Sequence, residues 1–282
     1  MNTNVVRRGL RTALAVLTVV AVPAIGILLV APAALSASSP AGAAVSRHGY
    51  PAGNYLLLDP GGRGRVVQVF GDLSAARRIA VLVPGMRTRL ANCWRGVGGA
   101  RYRSPSVQAA DLYRAMGGER DAVIAWLGYD TPQTLREAAG DDRAIAGADA
   151  LTAFVTGLVA AHPGATVTLL GHSYGSTVIG RAAARLPRAV TDIAVFGSPG
   201  LDVRTAADLG TTARVWAGQS AGDWIRWVPG GRALGLGHVR NPADPAFGAR
   251  IFPTADVADH DHYLAPGTDS LAALARIATG RA

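Results

Sequence analysis

The chain of 282 residues contains no lysine, a single cysteine, few aromatic residues (6%) and a low density of charge (17%). The lone Cys93 excludes a disulfide framework within one chain and any zinc or iron–sulfur site built from several cysteines. Sparse charge beside 49% hydrophobic residues excludes a disordered chain. No segment recurs with a period of roughly 20–50 residues, which excludes a solenoid or propeller. Long blocks of like charge are absent too.

All 28 basic residues are therefore Arg, set against 19 acids for a formal net charge of +9. Beside the richness in Ala and Gly, this bias reads as a coding background rather than selection for phosphate contacts. Apart from the leader and Arg77-Arg78 the arginines are scattered singly, as on a solvated surface, so no nucleic-acid partner is expected.

Residues 1–44 read as an export segment. Arg7, Arg8 and Arg11 form a positive start, and an apolar stretch runs from Ala13 to Leu35. Small residues follow, with Ala41-Gly42-Ala43 suited to signal peptidase. The stretch is also long enough to span a bilayer, so the segment is either a cleaved signal peptide or an N-terminal membrane anchor. Both place residues 45–282 outside the cytoplasm, secreted or in the cell envelope, with membrane association through the leader in the second case. No Cys follows the apolar stretch, which excludes a lipoprotein anchor. Cys93 is expected to be buried and inert.

From residue 54 strand-like and helix-like segments alternate. Buried-strand patterns fall at Tyr55–Leu58, Val66–Phe70, Ile79–Val83, Ala122–Leu127, Thr166–Leu170, Ile193–Phe196 and Ala213–Ala217. Helical patterns fall at Ser104–Met116, Asp141–Ala161, Ser173–Leu186 and Asp269–Ala278. In the second of these, Ile145, Ala148, Leu151, Phe154, Val155 and Leu158 share one face. The order predicts a single α/β domain: a mixed, mostly parallel sheet with helices on both faces. Residues 220–255 lack periodicity and read as an excursion over the top of the sheet.

Two segments match G-x-S-x-G, at Gly171–Gly175 and Gly218–Gly222. In a chain with 35 Gly either match alone is weak, and context separates them. Thr166–Leu170 leads directly into the first, and Ser176–Leu186 continues as a proline-free helix. That strand–turn–helix passage exposes a serine hydroxyl and points helix amides at a developing oxyanion. The second match runs into Asp223–Gly230, which contains Pro229 and cannot continue as a long helix. Ser173 is thus the nucleophile candidate and Ser220 a loop residue.

Serine needs a base and an orienting acid, which follow the nucleophile in chain order in this arrangement. Asp223, just past the strand Ala213–Ala217, is the candidate acid, with Asp202 the runner-up. His238, His260 and His262 are the downstream bases, and spacing does not choose among them. His172, beside Ser173, should diverge from the hydroxyl and form a wall of the substrate site. The Asp259–His262 run is expected to be solvated rather than metal-binding, and no metal or cofactor is expected. Candidate oxyanion donors are the amides of Tyr174 and Met86, with Gly85 allowing substrate to approach. Tyr129 and Asp130, past the strand Ala122–Leu127, either line the substrate entrance or form a structural turn.

Taken together, Pro84-Gly85, Trp126–Asp130, Gly171–Ser176, Gly197–Gly200, Asp223, Phe247–Ala249 and a late His-x-x-Tyr resemble an actinobacterial α/β-hydrolase family of unknown function, over roughly residues 75–280. The Trp126–Asp130 and Gly171–Ser176 segments together are specific; the second alone is not. The resemblance implies an α/β-hydrolase fold. It places the late pattern on His260–Tyr263, making His260 the base and His262 the occupant of a variable position. The family usually has small residues where this chain has Met86-Arg87. The expected activity is that of an exported serine esterase acting on a small-molecule or lipid ester, or a thioester, through an acyl-enzyme. Two alternatives are acyl transfer to an envelope lipid or sugar, and a non-catalytic envelope binding protein on the same fold.

Overall fold

The computed structural model describes residues 50–228, 231–233 and 236–282, excluding the side chains of 231–233 and 236–238. The leader read over residues 1–44 lies outside them. In chain order, a hairpin of β1 (Asn54–Asp59) and β2 (Arg65–Phe70) is followed by β3 (Arg78–Val83), α1 (Pro105–Met116) and β4 (Asp121–Leu127). Next come α2 (Leu135–Ala139), α3 (Asp142–Ala161), β5 (Thr166–His172), α4 (Tyr174–Ala182), β6 (Val190–Phe196) and β7 (Arg214–Gly218). A small hairpin of β8 (Gly231–Ala233) and β9 (Leu236–Val239), a short β10 (Arg250–Ile251) and α5 (Asp269–Ala278) complete the chain.

Eight strands form one sheet in the order β1-β2-β4-β3-β5-β6-β7-β10. The two β1–β2 and β2–β4 pairings are antiparallel, and every other pairing in it is parallel. Central strands are apolar along their whole length because both faces are covered: β4 is buried at every residue and β5 at all but its first. Alternation along β3 sorts its side chains. Ile79, Val81 and Val83 pack with Leu151, Val155 and Val178 of α3 and α4, while Ala80 and Leu82 pack with Leu112 and Leu274 of α1 and α5.

The seven strands and four helices read from the pattern are all present, each within a few residues of its expected ends. Helix α1 shows why its ends are legible. Ser104 Oγ accepts the Val107 amide at 3.2 Å, Pro105 opens the first turn, and Gly117 closes it at φ 70°. Two expectations need correction. On α3 the buried face is Ala144, Gly147, Ala148, Leu151, Val155 and Leu158, whereas Ile145 is 45% exposed. The small Ala144 and Gly147 let the helix lie close to its neighbours, which turns the adjacent Ile145 outward. The 220–255 excursion contains the β8–β9 hairpin and β10, too short for a periodic signature, and α2 was hidden for the same reason.

Candidate active site

The carboxyl ends of the parallel strands β3, β5 and β7 converge on one edge of the sheet, which is where chain crossovers leave a crevice. Ser173 sits in the single-residue turn between β5 and α4, at φ 53° and ψ −127°. A non-glycine residue held there is strained by roughly 1–3 kcal/mol. The surroundings hold it in place: the Ser173 amide donates to Phe196 O at 3.0 Å, and Ser173 O accepts the Ser176 amide at 3.0 Å and Ser176 Oγ at 2.5 Å. A side chain at Gly175 would collide with the Val83 carbonyl, so glycine there lets α4 start hard against β3.

His260 brings its ring to this serine. Its Nε2 lies 3.0 Å from Ser173 Oγ, and its Nδ1 lies 2.9 Å from Asp223 Oδ1. Since a carboxylate only accepts, the proton sits on Nδ1, leaving Nε2 to accept from the hydroxyl. Asp223 lies past the end of β7 and is 1% exposed. Burial pushes its carboxyl up. The hydrogen bond and charge of His260, with the Ile225 amide and the Tyr263 hydroxyl, outweigh this and hold it below the usual range.

Tyr263 was noticed in the sequence only as the end of a pattern. Its hydroxyl donates to Asp223 Oδ2 at 2.8 Å and accepts the Ser220 amide at 2.9 Å. Ser220 Oγ in turn donates to Val257 O at 2.5 Å and accepts the Gly222 amide at 3.0 Å. The second G-x-S-x-G match thus joins the loop bearing the acid to the loop bearing the histidine. Its hydroxyl is spent on backbone and lies 2% exposed.

A cleft of about 490 Å³ opens over Ser173 and His260, walled among others by Gly85, Met86, Arg103, His172, Leu135 and Trp224. Gly85 is needed because an added Cβ would lie 2.7 Å from Ser173 Cβ and 3.2 Å from its Oγ. Tyr174 opens α4 directly after Ser173, so its amide belongs to the first turn of the helix, beside the serine. Met86 lines the cleft, and the turn that carries it is pinned by the Arg87 amide donating to Pro132 O at 2.7 Å. His172 is also a wall residue. Burial, and then the neighbouring His260, push its imidazole down to about 4, so it is neutral near pH 7. Its Nε2–H donates to His260 O at 2.7 Å and anchors the backbone of the histidine loop. Trp224, which the sequence did not single out, sets its ring 5.0 Å from that of His260.

Tyr129 and Asp130 do not line this cleft, which corrects the reading of them as its entrance. The Tyr129 hydroxyl donates to Pro84 O at 2.7 Å and its ring stacks on Trp126, so it supports the turn behind Gly85. Asp130 faces a separate cleft and pairs with Arg65 at 2.7 Å. Asp202, the other acid considered, is bound to Arg181 Nε at 2.7 Å. His262 hydrogen-bonds Asp259 at 2.7 Å and stacks on Tyr102, while the His238 side chain lies outside the described residues. Cys93 is buried, and burial pushes its thiol up to about 12, leaving it protonated. No cluster of three or more metal-ligating side chains occurs among the described residues.

Residues 59–232 match a family described as alpha/beta hydrolase. An uncharacterized Mycobacterium tuberculosis protein is 32% identical over 269 residues, a match covering 82% of this chain and 40% of that protein. A second uncharacterized protein, from Mycobacterium bovis, is 34% identical over 172 residues, 57% of this chain and 63% of the other. The chain therefore spans less than two thirds of the length of either relative. Among solved structures, a carboxylesterase from Mesorhizobium loti aligns with a TM-score of 0.49 at 18% identity, covering 77% of this chain and 95% of the other.

Proposed function

Because the chain belongs to the alpha/beta hydrolase family, we propose that it is a serine hydrolase that cleaves an ester or thioester through an acyl-enzyme. The observation that carries this reading is the chain of contacts from Ser173 Oγ to His260 Nε2, 3.0 Å, and from His260 Nδ1 to Asp223 Oδ1, 2.9 Å. In the proposed reaction Ser173 Oγ attacks the acyl carbonyl as His260 Nε2 takes its proton. Asp223 holds the imidazole in the required tautomer and stabilises its positive charge. The carbonyl oxygen becomes an oxyanion facing the amides of Tyr174 and Met86, each worth about 3 kcal/mol to the transition state. Collapse breaks the acyl–oxygen or acyl–sulfur bond, and the leaving group takes the proton from Nε2. Water, deprotonated by the same nitrogen, then attacks the acyl-serine and frees the acid. The proposed setting is outside the cytoplasmic membrane, supported by the basic and apolar leader within residues 1–44.

A fluorophosphonate probe tests the reading. It should label the wild-type protein and Ser220→Ala, and should fail to label Ser173→Ala and His260→Ala. Folded wild-type protein that resists the probe would remove the activated nucleophile and bring the binding-protein alternative forward.

A further inference from the structure

Exposed apolar side chains are unevenly placed on this protein. Leu56, Leu57, Ile145 and Ile251 lie on β1, α3 and β10, away from the cleft walls, whereas Leu135 and Trp224 line the cleft over Ser173, and Trp227 and Val228 follow Trp224 closely in the chain. Leu135 and Trp224 line the cleft directly, at 69% and 48% exposed. Trp227 ends the 3-10 turn that Trp224 opens and is 76% exposed, and Val228 follows it. Large rings held in water on a short turn contribute little to the core; the same rings suit a boundary between water and hydrocarbon.

Arginines outnumber acids around these side chains: the cleft lining holds Arg87 and Arg103 against Asp261, which pairs with Arg103 at 2.8 Å. Arg87, Arg89, Arg136 and Arg226 lie beside them, and among the described residues none has a carboxylate within ion-pair distance. Arg136, next to Leu135 on α2, also lines the adjoining cleft, where Arg65 and Arg143 by contrast both pair with Asp130. At the rim, the Arg226 guanidinium lies 4.8 Å over the Trp227 ring, joining cation and aromatic surface in one outward-facing unit.

We infer that this rim docks on an anionic lipid surface and that the substrate is an ester presented there. The inference rests on the ester-hydrolase reading above and supplies its substrate class. Charge complementarity selects the occupant: arginines without a carboxylate partner meet anionic headgroups, while Leu135, Trp224, Trp227 and Val228 enter the acyl boundary around the cleft mouth. The ester carbonyl then reaches Ser173 without leaving the interface.

Vesicles of phosphatidylcholine, with and without phosphatidylglycerol carrying brominated acyl chains, test this on the full chain. The leader is common to all variants, so only differences between variants are read. Phosphatidylglycerol vesicles should quench tryptophan emission in the wild type, with much of the quenching lost in Trp227→Ala. Arg136→Ala should weaken binding to these vesicles about fivefold. Both variants should hydrolyse a soluble short-chain ester at the wild-type rate and a vesicle-borne ester about fivefold more slowly. Quenching unaltered by Trp227→Ala, or equal binding of Arg136→Ala and wild type, overturns the inference. Failure of the hydrolase reading looks different: no soluble-ester turnover and no fluorophosphonate label, whatever the vesicles report.

Discussion

Removing one oxygen atom should separate the role of Tyr263 from simple packing. In Tyr263→Phe the ring remains, so the buried contacts with His172 and Phe196 are kept. Two bonds are lost: the 2.8 Å bond donated to Asp223 Oδ2 and the 2.9 Å bond accepted from the Ser220 amide. A hydrogen bond to a charged group is worth about 1.5–3 kcal/mol, and here its loss leaves the buried carboxylate held by His260 and the Ile225 amide alone. If that energy orients Asp223 in the transition state, kcat/KM falls about 10–100-fold, mostly in kcat. Leaving the Ser220 amide without its acceptor should cost about 1–3 kcal/mol of stability, readable as a lower midpoint in denaturant. The assay is a pH series of kcat and KM on a soluble ester, alongside a denaturant titration. A folded variant with kcat/KM within about twofold of wild type refutes the reasoning.

Two other perturbations follow from the geometry. Gly85→Ala places a methyl 2.7 Å from Ser173 Cβ, so the turn carrying the Met86 amide must retreat; ester turnover should fall at least about a hundredfold, with far-UV circular dichroism unchanged. Wild-type turnover would show that the turn is not at the reacting carbonyl. The imidazole of His172 is depressed to about 4 in the native protein, while in the unfolded chain it titrates near its ordinary value. Between those points only the unfolded chain holds the extra proton. The contribution is therefore complete above about pH 6.5 and is lost as pH falls toward 4, on the order of 3 kcal/mol. Denaturant midpoints should drop across that window in the wild type and less in His172→Phe; parallel curves would contradict the assignment.

What the sequence made legible follows from the range over which each signal acts. Ser173 is read from contiguous residues, since the strand before it and the proline-free helix after it are both local patterns. Asp223 follows from a strand end and chain order. The histidine was different: spacing left His238, His260 and His262 open, and only the resemblance pointed to His260. In the structure the distinction comes from partners far away in sequence, with Ser173 and Asp223 on His260, and Asp259 and Tyr102 on His262. Tyr129 and Asp130 lie beyond a strand end, as entrance residues should. Yet Tyr129 is drawn back by the Pro84 carbonyl and Asp130 by Arg65, contacts spanning 45 and about 65 positions that no local pattern records. The place of Trp224 over His260 depends equally on a fold-wide juxtaposition.

The bridge from Ser220 through Tyr263 to Asp223 also bears on synthesis. The chain is made from its amino end, so Ser173 and its turn emerge well before Asp223, His260 and Tyr263. Until residues 260–263 arrive, Asp223 has only the Ile225 amide of its partners, and Ser173 Oγ lacks its contact with His260 Nε2. A chain cut short before residue 260 therefore lacks the contacts of His260 with Ser173 and Asp223 altogether. The contacts around Ser173 can therefore be completed only when nearly the whole chain has been made.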